Sequence, residues 1–158
     1  MHDLNPRCKI FTFDHTITGK GHPPFVSFHK IGLGASDSGP LLTVASALRK
    51  VGLENKTIDL FKIDCEGCER TVFPGFLKPF LRQILIEVHN ANWGVNAFFE
   101  AMTSAGYAIF HKEPNTYGCA GDCIEYGFLK MDPDFAAGKN ESHPKVSSDR
   151  LNSFLEHA

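Results

Sequence analysis

Short apolar runs alternate along the chain with stretches of helical periodicity. The runs at residues 8–13, 25–29, 58–63 and 84–88 are rich in Ile, Val, Leu and Phe and end at polar residues, as strands do. Leu41, Val44, Leu48 and Val51 recur on one helical face, and Gly52 supplies a C-terminal stop. Val95, Phe98, Phe99 and Met102 do the same ahead of Gly106. Residues 14–24 and 31–40 are punctuated by Gly and Pro and read as loops. The stretch 69–80 is mixed, with Pro74 and Gly75 set against any long helix. Residues 107–111 and 124–130 read as closing strands. The turn-rich connection at 115–122 makes them an antiparallel pair.

Strands that alternate with helices predict an α/β fold with a mostly parallel sheet and right-handed crossovers. Ligands in such sheets bind beyond the carboxyl ends of the strands. Two runs are the most informative. Ile58-Asp-Leu-Phe-Lys-Ile-Asp-Cys-Glu-Gly-Cys-Glu69 is an apolar strand that ends in carboxylates and a glycine, and Gln83-Ile-Leu-Ile-Glu-Val-His89 repeats the design. The topology therefore places Asp14, Asp37, Asp64, Glu66, Glu87 and His89 on one rim.

Composition narrows this picture. A chain of 158 residues suits one domain, expected over residues 8–131, followed by a polar tail at 132–158 with a short helix near 148–156. The 14 phenylalanines predict a core packed with aromatic bulk. A net charge of −2 with scattered basic residues gives no nucleic-acid or membrane-surface footprint. No apolar run has the length of a membrane span and the N-terminus is not a signal peptide, so the chain as written is expected to be soluble and cytoplasmic. A lost N-terminal segment would change that expectation. Five cysteines, an odd number, do not read as a secreted disulfide framework. The sequons at Asn55 and Asn140 matter only in the secretory path.

Lys62-Ile-Asp-Cys-Glu-Gly-Cys-Glu69, followed by Ile84-Leu-Ile-Glu-Val-His89, closely resembles the fourth and fifth strands of FkbM-type and methyltransferase-like S-adenosylmethionine-dependent methyltransferases. Phe11-Thr-Phe-Asp14 looks like their second strand, whose terminal acid binds ribose hydroxyls. His111-Lys-Glu-Pro-Asn115 and Glu125-Tyr-Gly-Phe128 are similar to their sixth and seventh strands. The resemblance covers roughly residues 8–131 and implies a Rossmann-like class I methyltransferase sheet in the order 3-2-1-4-5-7-6. S-adenosylmethionine would be the cofactor, and the reaction O-methylation of a small molecule or glycan.

The family's first strand and its glycine-rich turn would precede Cys8, where seven residues stand and none is glycine. Such a turn lets backbone N–H groups approach a ligand closely. Gly32-Leu-Gly34 is the nearest pair, but it lies after the third strand and before Pro40. Without the first strand, the strands at 8–13 and 58–63 lose a shared neighbour and each keeps an unpaired edge. The expectation is a fragment, a truncated gene model or one half of a larger protein.

Each candidate has a functional and a structural reading. Asp14 would bind ribose hydroxyls, or cap a turn. Asp64 and Glu66 share a face; Asp64 would lie beside the sulfonium and the acceptor, or both would belong to a hydrogen-bonded turn at Gly67. Glu87 and His89 form the candidate base pair for a hydroxyl proton, or a satisfied buried pair. Asp37 would meet an adenine amino group, or serve as a loop aspartate. Trp93 would cover the acceptor, or pack. Cys65 and Cys68 with Cys119 and Cys123 suggest zinc by spacing, which the motif position of Cys65 argues against, so no metal ligand is assigned. The catalytic set is thus Glu87, His89 and Glu66, and the cofactor set Asp14, Asp37 and Asp64. Two rival readings stand beside it. One is a degenerate methyltransferase fold that only binds partners. The other is a metal-dependent hydrolase using Asp64, Glu66, Glu87 and His89.

Overall fold

The computed structural model describes residues 5–90, 94–119 and 122–132. Two short parallel strands open it, β1 (Ile10–Phe13) and β2 (Val26–His29), with Ile10 opposite Val26. The expected loop at 31–40 is bounded by a second parallel pair, β3 (Gly32–Leu33) and β4 (Leu41–Leu42). Helix α1 (Val44–Lys50) follows, capped where the Thr43 side chain accepts from the Ser46 amide at 3.2 Å. It ends before Gly52, whose φ of +72° suits glycine.

Strand β5 (Ile58–Ile63), helix α2 (Glu69–Phe76) and strand β6 (Leu81–His89) form the parallel crossover that positions the site. Helix α2 contains both Pro74 and Gly75, which the sequence set against a long helix. The proline removes one hydrogen bond, and two turns survive because Val72 and Phe76 are buried in the core. A Cβ at Gly75 would meet Val44 at 3.7 Å, an ordinary van der Waals contact, so α2 packs on α1 here without needing a glycine. Helix α3 (Val95–Ser104) and strands β7 (Tyr107–Asn115) and β8 (Cys123–Lys130) complete the described chain.

The main sheet has the order β5-β6-β8-β7. Strands β5 and β6 are parallel, and β8 runs antiparallel to both β6 and β7. The expected antiparallel closing pair is present, with β8 inserted beside β6. Strands β1 and β2 stand in a separate two-stranded sheet. Among the described residues, β1 pairs with β2 and β5 with β6, and no ladder joins β1 to β5. The tail at 133–158, with its expected helix, lies outside the described residues, as does Trp93.

The core forms around β6, whose Leu81, Ile84, Ile86 and Val88 are buried. Phe98 of α3 packs edge-on against Phe73 and Phe128, with centroids 5.6 and 5.8 Å away. The aromatic core read from composition is therefore present. Among the described residues, no helix is long and apolar enough to cross a membrane.

Tyr107 ties the last hairpin to β6: its buried hydroxyl donates to the Leu81 carbonyl at 2.8 Å. Burial holds the phenol above its usual value of 10.0. A folded value above the unfolded one means stability is fully present below the unfolded pKa and lost as pH rises through the folded pKa. Tyr107→Phe is expected to cost about 0.5–1.5 kcal/mol at pH 7, read as a urea midpoint. The gap to wild type is expected to narrow in strong alkali, because only wild type must ionise a buried phenol.

Candidate functional site

Parallel pairing sets Ile63 opposite Ile86, so β5 and β6 deliver their last side chains side by side. Beyond β5 the chain bends through two left-handed residues, Glu66 (φ +54°) and Gly67 (φ +102°). Glycine adopts this geometry freely, whereas Glu66 meets a penalty of about 1–2 kcal/mol. The bend places Glu69 in the first turn of α2, where the helix dipole favours a carboxylate. Glu69 Oε1 accepts from the backbone amides of Cys65 (3.1 Å) and Gly67 (3.3 Å).

The same Oε1 lies 3.1 Å from His89 Nδ1. The other ring nitrogen, Nε2, lies 3.3 Å from Glu66 Oε2 and 3.9 Å from Asp64 Oδ1. Both ring nitrogens therefore face carboxylates, Nδ1 the fully buried Glu69 and Nε2 the pair Asp64 and Glu66. The His89 side chain is 12% exposed and Glu66 87%, so the cluster has a closed floor and an open rim. Glu87, beneath it, is 4% exposed and accepts from Asn115 Nδ2 at 2.8 Å. Asn115 Oδ1 accepts from the Tyr117 and Gly118 amides, which ties the β7–β8 connection to the floor. Burial pushes the Asp64 carboxyl above the usual carboxylate range. The Glu87 charge and a hydrogen bond to it add to the effect, while Lys62 and His89 oppose it.

Four of the six predicted residues, Asp64, Glu66, Glu87 and His89, thus meet at one place. Two partners were missed. The carboxylate hydrogen-bonded to Nδ1 is Glu69, where the sequence had paired His89 with Glu87; the second is Asn115. The signal for Glu69 was its place two residues after Gly67, where a tight bend turns a helix-opening acid back on the strand end.

The other two residues open their own local structures. Asp14 Oδ1 accepts from the Thr16 amide (2.7 Å) and hydroxyl (2.6 Å). The Thr16 hydroxyl, then its amide, holds this carboxyl below the usual range. Both oxygens of Asp37 are engaged at the start of α1, Oδ2 by the Ser46 hydroxyl (2.6 Å) and Oδ1 by the Thr43 amide (2.7 Å). Those bonds, Ser46 first, lower its carboxyl as well.

The family profile described as a methyltransferase domain matches residues 1–130. The chain belongs to this methyltransferase family. No curated protein and no solved structure matches it at a significant level.

In open α/β sheets, ligands bind beyond the carboxyl ends of parallel strands, which is where the rim of β5 and β6 lies. Gly32 does not act as a phosphate-type cradle: a Cβ there would collide with His15 and Leu41, so this glycine is needed for packing. The cysteines depart from expectation, since Cys65–Cys68 and Cys119–Cys123 are disulfides and Cys8 is free. The bonds span three and four residues of sequence, so they clip turns rather than staple the fold, and a parity argument over the whole chain overlooks such local clips. Both bonds adjoin the cluster, with Cys65 Sγ 3.4 Å from Glu69 and Cys119 Sγ 3.4 Å from Glu87. Paired in this way, the four sulfurs offer no thiolates to zinc.

Proposed function

We propose that this methyltransferase domain uses S-adenosylmethionine to methylate a hydroxyl oxygen of a small molecule or glycan, on an FkbM-type, class I Rossmann-like frame. The observation that carries the reading is the convergence of Asp64, Glu66, Glu87 and His89 beyond two parallel strands, with Glu69 fixing the imidazole. The order β5-β6-β8-β7 corresponds to 4-5-7-6 of the class I sheet, and β1-β2 to its 2-3 pair. The reading assigns the domain to residues 8–131 and leaves 132–158 as a tail.

The residues fit the cofactor in charge. A sulfonium is a cation, and the rim offers it carboxylates. When bound, S-adenosylmethionine supplies an electrophilic methyl group. Asp14 would hold the ribose hydroxyls, with Oδ2 left for them because both Thr16 bonds fall on Oδ1. Asp64 would face the sulfonium and the acceptor, and Glu66 would flank the acceptor at the exposed rim. The Glu87–His89 pair would receive the hydroxyl proton, with Glu69 holding the ring in place. Asp37 remains with α1. The two disulfides suit an oxidising compartment better than the cytoplasm.

Calorimetry with S-adenosylmethionine tests the reading. Binding is expected, and Asp14→Asn is expected to weaken it by about tenfold or more through loss of a charge-assisted hydrogen bond. No heat at millimolar cofactor would sink methyl transfer by this chain. That result would favour a fold that binds partners without catalysis, the reading for which the packed Gly32 speaks.

A further inference from the structure

We infer that the Cys65–Cys68 disulfide is a redox-sensitive clip on the Glu69–His89 contact, so that a dithiol reductant releases the imidazole from its fixed position. The inference deepens the methyltransferase reading, on which it rests only for the effect on turnover. The bond closes a ring over residues 65–68, and that ring contains the left-handed bend of Glu66 (φ +54°) and Gly67 (φ +102°). Two groups in the ring, the amides of Cys65 and Gly67, donate to Glu69 Oε1 at 3.1 and 3.3 Å. The same oxygen is 3.1 Å from His89 Nδ1. Cys68, at the far end of the bond, is the N-cap of α2 and makes no side-chain cap bond there. The disulfide thus ties the end of β5 to the start of α2, one residue before Glu69.

Reduction acts on this contact in two ways. A non-glycine residue disfavours the left-handed region, and the closed ring denies Glu66 most of its other conformations. Once the ring opens, Glu66 relaxes and carries the Gly67 amide away from Glu69. The second effect is chemical. In the disulfide, Cys65 Sγ lies 3.4 Å from Glu69 Oε1 and has no proton to give. As a thiol it becomes a donor to an oxygen that already faces two amides and an imidazole. As a thiolate it sets a negative charge beside a fully buried carboxylate. Either form loosens the hold of Glu69 on the ring.

The bond lies under an open surface. The Glu66 side chain is 87% exposed, and a Cβ at Gly67 would meet nothing within 4 Å. The Cys119–Cys123 bond is less open at one end, since Cys123 is 3% exposed. A thiolate of the dithiol attacks one sulfur of the clip, the S–S bond breaks and a mixed disulfide forms. The second thiol of the reductant then displaces that cysteine. Two electrons and two protons pass to Cys65 and Cys68, and the dithiol leaves as a disulfide.

The test compares the full chain before and after dithiothreitol, without S-adenosylmethionine, with alkylation and mass measurement to locate the thiols. Cys65 and Cys68 are expected to resist alkylation until the reductant is added. On reduction, hydrogen exchange at the Cys65 and Gly67 amides is expected to rise about tenfold or more, and the His89 ring nitrogen resonances to shift. The amides of Ile84 and Ile86, in the buried part of β6, are expected to keep their protection. Cys65→Ser/Cys68→Ser, which leaves the other bond intact, is expected to show the reduced behaviour without reductant. Its turnover is expected to fall about tenfold in kcat with cofactor affinity within about twofold of wild type. Should that variant not fold, the reduced wild type decides. Alkylation of Cys65 and Cys68 before any reductant, or unchanged exchange and ring resonances once reduction is complete, would overturn the inference. A responsive bend in a chain that gives no heat with S-adenosylmethionine would keep the clip and sink the methyl-transfer reading; cofactor heat with an unresponsive bend would do the reverse.

Discussion

Phe98→Ala is expected to lower folding stability by about 3–5 kcal/mol, the largest loss foreseen for a single change in this chain. Phe98 is fully buried, and its ring meets Phe73 of α2, Phe99 of α3 and Phe128 of β8. It links α2 and α3 to the sheet. Truncation removes the transfer free energy of the ring and leaves a cavity that three other rings cannot close without leaving their edge-on geometry. Domains of this kind hold about 5–15 kcal/mol in total, so the variant is expected to be partly unfolded at room temperature or to melt far below wild type. Urea unfolding measures the change, and a loss under 1.5 kcal/mol would show that the site collapses around the gap.

The second large effect concerns chemistry. His89→Gln is expected to reduce methyl transfer about 10²–10⁴-fold. The measurement is release of S-adenosylhomocysteine across a panel of hydroxyl-bearing small molecules and glycans. Glutamine preserves polarity but cannot accept a proton, so the loss should appear in kcat rather than in cofactor affinity. The ring is confined by Glu69 on one nitrogen and by Glu66 and Asp64 on the other, so no other described imidazole occupies this position. Turnover within a few-fold of wild type would remove His89 from the reaction.

Much of this arrangement was readable before any coordinates. The apolar runs at Ile58 and Ile84 are local signals, and the period of a strand alone sends Glu87 and His89 to one face. Gly52 and Gly106 ended their helices because left-handed termini are a property of the residue itself. Pro74 misled because a proline's cost is local, while the burial of Val72 and Phe76 that offsets it is not. The cysteines misled because parity over a whole chain says nothing about two bonds that each close a single turn.

By itself, the sequence determined the α/β class, the two parallel strands, the acids at their ends and the aromatic character of the core, all of which follow from spacing along the chain. Only the tertiary structure decided which groups meet. Glu69 reaches His89 across 20 positions of sequence, and Asn115 reaches Glu87 across 28. The placement of β8 beside β6 brings the second of those pairs together, and the left-handed bend at Glu66 and Gly67 brings the first. Side-chain partnership depends on how loops return the chain to the sheet, and the free energy of that return is shared over many residues. No single motif states it.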